Sequence, residues 1–369
     1  GGPGATFWMI LTGLVGMATK FTECSLGCIY RKVDEKGVVH GGPMHYIMAG
    51  LGSRFKPMAI FYAFAGIMAS YGAANMFQTN QAAELLKMNF GVPRLATGLV
   101  LSFLTGIVII GGIKRIGSVA AKIVPTMANI YVLGALVVII MNIEKIPEMF
   151  GLIFNSAFSG TAVVGGAAGI AVRTVMIQGI RRACFSNEAG MGSAAIAHSA
   201  ARTDQPVREG IVALLEPFID TVVICTMTSL VLVITGVWTL SPEEAKGATL
   251  TAMAFDRVIP GFGKFFVPVA VGLFAYSTLI SWSYYGERCT DFIFGPKGII
   301  PYKIIFCIAA VIGSVWELGA VVAFSDIMLA LMVIPNLIAV AFLAKKVKGA
   351  VNEYFAKLKA GEFDIPENS

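Results

Sequence analysis

The sequence predicts an all-α polytopic membrane protein, and three observations carry that prediction. Of its 369 residues, 56% are hydrophobic and only 14% charged, where a soluble domain carries about 25% charged residues. Apolar residues run in stretches of about 20, the length that crosses a ~30 Å hydrocarbon core as a helix. The basic residues fall in short clusters between these stretches. The bilayer is therefore the solvent, and in lipid a helix satisfies its own backbone polar groups.

Apolar runs and their polar breaks give about nine spans, at residues 6–30, 57–86, 94–112, 116–142, 161–184, 209–237, 264–294, 301–320 and 321–344. Shorter amphipathic pieces at 44–51, 146–158 and 242–258 read as helices lying on the surface. Alternating the spans gathers Arg31, Lys32, Arg54, Lys56, Lys114, Arg115, Arg181, Arg182, Arg202, Arg208 and Arg288 on one side. Lys87, Arg94, Lys145, Lys246, Arg257 and Lys264 remain on the other. By the positive-inside rule the richer side is cytoplasmic. Residues 1–345 then form the transmembrane domain and 346–369 a cytoplasmic C-terminal tail.

The formal charge of +6 forms no continuous stripe, which argues against nucleic acid as a partner. The six cysteines lie mostly within apolar runs without metal-ligand spacing, so they read as small buried hydrophobes.

One span differs from the others. The stretch Gly160-Thr161-Ala162-Val163-Val164-Gly165-Gly166-Ala167-Ala168-Gly169 concentrates glycine inside a membrane crossing, and each interior glycine costs ~1 kcal/mol of helix stability relative to alanine. It is expected to be a broken helix lining a site, or else a tight packing face.

Five blocks carry a resemblance. Gly1-Gly2-Pro3-Gly4-Ala5-Thr6-Phe7-Trp8-Met9 with Gly16-Met17-Ala18-Thr19-Lys20-Phe21-Thr22-Glu23 resembles the alanine or glycine:cation symporter family, also called sodium:alanine symporters. So do Gly41-Gly42-Pro43-Met44-His45-Tyr46-Ile47, Phe185-Ser186-Asn187-Glu188-Ala189-Gly190-Met191-Gly192-Ser193-Ala194 and Tyr284-Tyr285-Gly286-Glu287-Arg288. Ile10 stands where the family usually has tryptophan. The resemblance implies an inverted-repeat fold of five plus five helices, of the leucine-transporter type. The nine spans would match core helices two to ten, with the first core helix missing and the chain truncated at its N-terminus relative to the family. It further implies sodium-coupled symport of alanine, glycine or both by alternating access in the cell membrane. Na⁺ would be the coupling ion, with no organic cofactor and no obligate protein partner.

A zwitterionic amino acid needs positive potential at its carboxylate and acceptors at its ammonium, and a broken helix offers both from its freed backbone groups. Gly165, Gly166, Ala167, Ala168 and Gly169 are assigned that backbone role. Asn75 and Gln78 recur at helical spacing in an amide-rich span, where they must meet another helix or the substrate. Sodium prefers hard oxygen ligands, and Ser277, Thr278 and Ser281 offer hydroxyls on one helix; such hydroxyls also often bond the preceding turn. Thr278 also counts among the substrate contacts, with Phe185 and Trp282 walling the pocket. Lys20 and Glu23, three apart, read as a helix-surface ion pair. Residues 187–190 read as a cytoplasmic structural or gating element.

Other classes fit less well. An enzyme built on His198, Cys184 and Glu188 lacks any recognisable catalytic motif. A channel lacks a repeated filter, and a truncated, non-transporting paralogue is the remaining alternative.

Overall fold

The computed structural model describes residues 1–35, 37–159, 168–240 and 247–363. They are almost entirely helical. The principal helices are α1 (Gly4–Ile29), α2 (Ser53–Phe90), α3 (Arg94–Ile110), α4 (Gly112–Met141), α5 (Ile146–Ser159), α6 (Ala168–Asn187), α7 (Ser193–His198), α8 (Pro206–Thr235), α9 (Ala248–Val258), α10 (Phe262–Phe294), α11 (Pro296–Val315) and α12 (Leu318–Lys359). The strand content among the described residues is one antiparallel ribbon, Lys32–Val33 with Val39–His40, between α1 and a short helix at Pro43–Tyr46.

Among the described residues, six helices, α2, α4, α8, α10, α11 and α12, are long and apolar enough to cross a membrane. The three other expected spans coincide with α1, α3 and α6. Helix α3 is apolar but only 17 residues long, α1 carries Lys20 and Glu23, and the described part of α6 carries Arg173, Arg181 and Arg182. Helix α12 runs without interruption past residue 345 to Lys359, so the tail begins as its continuation.

Helix α1 packs on α5, α6, α7 and α8, whereas α2 packs on α10, α11 and α12. The main core lies between them, around the fully buried Tyr46, Tyr62, Leu279, Ile280 and Phe306. A second core gathers Leu85, Val138, Val231, Phe255 and Val267. Outward faces of α3, α4 and α12 expose Phe103, Ile110, Leu133, Ile140 and Phe342, large apolar side chains in a number that belongs against lipid rather than water.

Segment 44–51 departs from the surface position expected of it. Met44, Tyr46 and Ile47 are fully buried, because Tyr46 turns inward and its Oη donates to Asn336 Oδ1 of α12. Its apolar side faces protein, where amphipathicity alone had placed it against the bilayer.

Two of the long helices change pitch. Helix α2 is a π-helix at Gly72–Met76 and α8 at Phe218–Cys225; such widened turns cluster at functional sites. At the first of them α11 makes a close approach. A Cβ on Gly313 would lie 2.3 Å from Met76 Cα and 2.7 Å from its carbonyl oxygen. Gly313→Ala is expected to push α11 off α2 and cost roughly 1–3 kcal/mol, read as a lower melting temperature of the purified protein; an unchanged melt would contradict this packing.

A candidate substrate site at a helix break

Helix α6 stops at Asn187 and α7 starts at Ser193, so residues 188–192 interrupt the helical path inside the protein. The local sequence explains the break. Glu188 (φ 57°), Gly190 (φ 85°) and Gly192 (φ 76°) all adopt left-handed backbone, which glycine enters at no steric cost and other residues rarely enter. Glu188 is the one non-glycine residue to do so among those described.

Groups that leave a helix need new partners when buried. The partners of the three carbonyls come from three different helices. Lys20 Nζ of α1 donates to the Asn187 carbonyl at 2.5 Å, Asn336 Nδ2 of α12 to the Gly190 carbonyl at 2.8 Å, and Tyr62 Oη of α2 to the Met191 carbonyl at 2.9 Å. The Ala189 amide donates to Asn187 Oδ1 at 3.0 Å. Trp282 Nε1 of α10 donates to Glu188 Oε1 at 2.6 Å, and Ser193 Oγ donates to Glu188 Oε2 at 2.5 Å.

The π-turn of α8 steadies the approach to the break. Ser186 Oγ donates to Asp220 Oδ2 at 2.5 Å, and Asn187 Nδ2 donates to Thr221 Oγ1 at 2.9 Å. Lys20 also lies 3.0 Å from Glu216 of α8. The expected Lys20 and Glu23 surface pair is therefore not what forms: both are buried, Lys20 turns to α8, and Glu23 accepts from Asn336 Nδ2 at 2.9 Å.

Beside the break is a cavity of about 260 Å³, lined by Ala73, Ala74, Gln78, Phe185, Ser186, Glu188, Phe274, Thr278, Trp282 and Leu329. Drug-sized pockets span ~300–1,000 Å³, so this one matches a smaller molecule. The π-turn of α2 contributes Ala73 and Ala74, whose methyl groups leave room there. Gln78 and Thr278 have no side-chain hydrogen bond within the described residues, and both line the cavity. Larger cavities carry less of this chemistry. A cleft of about 580 Å³ is lined by charged residues including Arg31, Arg202 and Arg208, one of about 480 Å³ lies between α6 and α12 with its charged groups, Arg181 and Asp326, facing each other, and one of about 390 Å³ is almost wholly apolar around Met68, Tyr71 and Phe324.

Of the residues singled out from sequence, Gln78, Phe185, Thr278 and Trp282 come together in this cavity. Asn75 does not; its Nδ2 donates to the Phe306 carbonyl of α11 at 2.6 Å. Ser277 is buried against α4, its Oγ 3.3 Å from Met127 Sδ and 2.9 Å from the Phe274 carbonyl, whereas Ser281 is half-buried. Ser277 and Thr278 thus point apart, as adjacent helical residues must at about 100° per residue. Gly165, Gly166 and Ala167 lie outside the described residues, and Ala168 and Gly169 fall at the start of α6. Sequence reasoning passed over Ser186, Phe274, Ala73, Ala74 and Leu329, and read Glu188 as part of a cytoplasmic structural or gating element and not as a site residue. The readable signal was the pair Gly190 and Gly192 just after an Asn-Glu step.

The Trp282 and Glu188 bond is the direct tie between α10 and the break. Trp282→Phe keeps the aromatic wall but removes the donor from a carboxylate, which is expected to cost about 1.5–3 kcal/mol. Thermal unfolding of the purified variant measures it, and a loss below a few tenths would mean that the bond does not hold the break.

Comparison with known proteins places this geometry in context. Residues 1–367 match the sodium:alanine symporter family. The chain is 44% identical over 347 residues to the sodium/alanine symporter AgcS of Methanococcus maripaludis, covering 93% of this chain and 76% of that protein. An uncharacterized transporter of Haemophilus influenzae is 42% identical over all of this chain and 80% of its own length. The probable sodium/glutamine symporter GlnT of Bacillus subtilis is 36% identical, covering 98% of this chain and 74% of its own. With its helical membrane architecture and a match over nearly its whole length, the chain belongs to the sodium:alanine symporter family of cation-coupled amino-acid transporters.

Proposed function

We propose that the protein carries a small zwitterionic amino acid, alanine or glycine, into the cell together with Na⁺ by alternating access, and that the cavity beside residues 188–192 holds the substrate. The observation that carries this reading is the convergence of Gln78, Thr278 and the Glu188 and Trp282 pair on an interrupted helix, in a cavity walled by Phe185 and Phe274. Relatives bear the names of alanine and glutamine symporters, and the apolar walls of the cavity, Phe185, Phe274, Trp282 and Leu329, favour the smaller and less polar side chain.

In this reading the Gln78 amide and the Thr278 hydroxyl supply the uncommitted polar groups that meet the substrate. Phe185, Phe274, Trp282 and Leu329 exclude water and limit side-chain size. An extra methylene is discriminated by only ~1–3 kcal/mol in an apolar pocket, so alanine and glycine are both accepted. Na⁺ takes hard oxygens, for which Thr278 and Ser281, three residues apart on one face of α10, are candidates; Ser277 is directed elsewhere. Backbone groups at 165–169 remain candidates for the same site. Nine spans in an inverted-repeat arrangement, a transmembrane domain at 1–345, a cytoplasmic tail at 346–369 and residence in the plasma membrane complete the proposal.

Uptake of labelled L-alanine into liposomes containing the full-length protein tests it, with an inward sodium gradient compared against an equal choline gradient. Accumulation is expected in sodium alone, and Gln78→Ala or Thr278→Ala is expected to raise the half-saturating alanine concentration by roughly 10-fold to 100-fold, the worth of one hydrogen bond to a charged ligand. Equal uptake in both salts, or variants that transport normally, would overturn the reading.

A further inference from the structure

We propose that the arginine-lined cleft where α1 ends and α8 begins binds an anionic phospholipid, its phosphate held among Arg31, Arg202 and Arg208 and an acyl chain laid along α8. The inference goes beyond the transport reading and does not depend on which solute is carried.

The cleft, of about 580 Å³, is lined by three arginines, with Asp204 and Glu362 as its acidic members. Its side-chain charge is therefore net positive. The three arginines differ in what they are free to do. Arg31 follows α1 and donates to the carbonyls of Ser199, Ala201 and Thr203, so it shapes the loop that leads from α7 to α8. Arg202, on that loop, is exposed and makes no hydrogen bond or ion pair among the described residues. Arg208, in the first turn of α8, is exposed and rests its guanidinium over the Phe363 ring, 5.4 Å from the centroid. A ring contact takes up the face of a guanidinium and leaves its N–H edge free. That planar fork of donors is the group that matches phosphate oxygens.

The neighbours of the cleft give its depth in the membrane. An adjoining cleft shares Asp204 and Gln205 with it and is also lined by Ile29 of α1, Val207 of α8 and Lys346 of α12. The end of α1, the start of α8 and the end of the apolar run of α12, marked by Lys345 and Lys346, thus meet at one level. Basic groups at the ends of spans stand at the depth of the lipid phosphates.

A free anion would need only the arginines, and the surface beyond them points to a lipid. Arg208, Val212, Leu215 and Ile219 recur at spacings of four, three and four residues, which places them on one face of α8. Val212, Leu215 and Ile219 are 55%, 49% and 53% exposed. An apolar stripe therefore runs from the cleft along the span, in line with an acyl chain whose headgroup is at Arg208. Phosphate at one end and hydrocarbon along the helix is the chemistry of a phospholipid, and the net positive lining selects an anionic one.

Native mass spectrometry of the full-length protein in detergent, titrated with phosphatidylglycerol, phosphatidylcholine or inorganic phosphate at matched ionic strength, tests the proposal. Phosphatidylglycerol is expected to bind more tightly than phosphatidylcholine. Arg202→Gln combined with Arg208→Gln is expected to weaken it by roughly 30-fold, the worth of two cations at a membrane surface. Val212→Ser combined with Leu215→Ser should weaken it as well, whereas Lys114→Gln combined with Arg115→Gln, on α4 and outside the cleft, should leave it unchanged. An equal loss in the Lys114 and Arg115 variant would overturn the proposal in favour of diffuse attraction by surface charge. Displacement of the lipid by inorganic phosphate, with the Val212 and Leu215 variant unaltered, would make the cleft a site for a free anion. Equal affinity for the two lipids, or normal binding by the Arg202 and Arg208 variant, would mean that the arginines do not read the headgroup.

Discussion

The structure depends on one requirement, that the backbone groups released where α6 stops be satisfied without bulk water. An unmet carbonyl in a low-dielectric interior costs about as much as a lost buried hydrogen bond, ~1–3 kcal/mol, and residues 187–191 release several. Lys20, Tyr62 and Asn336 each answer one of them, and each belongs to a different long helix. The break is thus the point at which α1, α2 and α12 are tied together, with α10 joined through Trp282. Cations and amides placed deep among apolar helices are costly on their own; here they serve the break.

The same tie positions the cavity. Trp282 reaches Glu188 from α10 and Thr278 sits one turn earlier on that helix, so the bond that steadies the break also sets the hydroxyl beside it. The widened turns of α2 and α8 act from two sides: Gly72–Met76 presents alanines to the cavity, and Phe218–Cys225 presents Asp220 and Thr221 to Ser186 and Asn187. Gln78 and Thr278 line the cavity without side-chain partners among the described residues, as a site awaiting a polar ligand requires.

Much of this was legible in the sequence, and the failures have physical causes. Composition and run length gave the helices because lipid permits few alternatives. Gln78, Thr278, Phe185 and Trp282 could be read as a set because a polar or aromatic residue in a span must face something other than lipid. Asn75 and Ser277 were grouped with them by spacing, yet each forms a contact with the neighbouring helix on its own side, α11 for Asn75 and α4 for Ser277. Helical spacing fixes a face but not its partner. Glycine density drew attention to 160–169, whereas the described break rests on two glycines at 190 and 192 together with a left-handed Glu188. Lys20 and Glu23 were read as a local pair because i to i+3 proximity is visible in a sequence; the competing partners Glu216 and Asn336 lie 196 and 313 positions away.

The central claim is that the space beside residues 188–192 is where the amino acid binds. A density map of the purified full-length protein, collected with saturating L-alanine and sodium, addresses it most directly. The account predicts alanine-sized density in contact with Gln78 and Thr278 and enclosed by Phe185 and Trp282. Density for alanine in the arginine-lined cleft or the apolar cavity near Tyr71, with the space beside Glu188 empty, would contradict it.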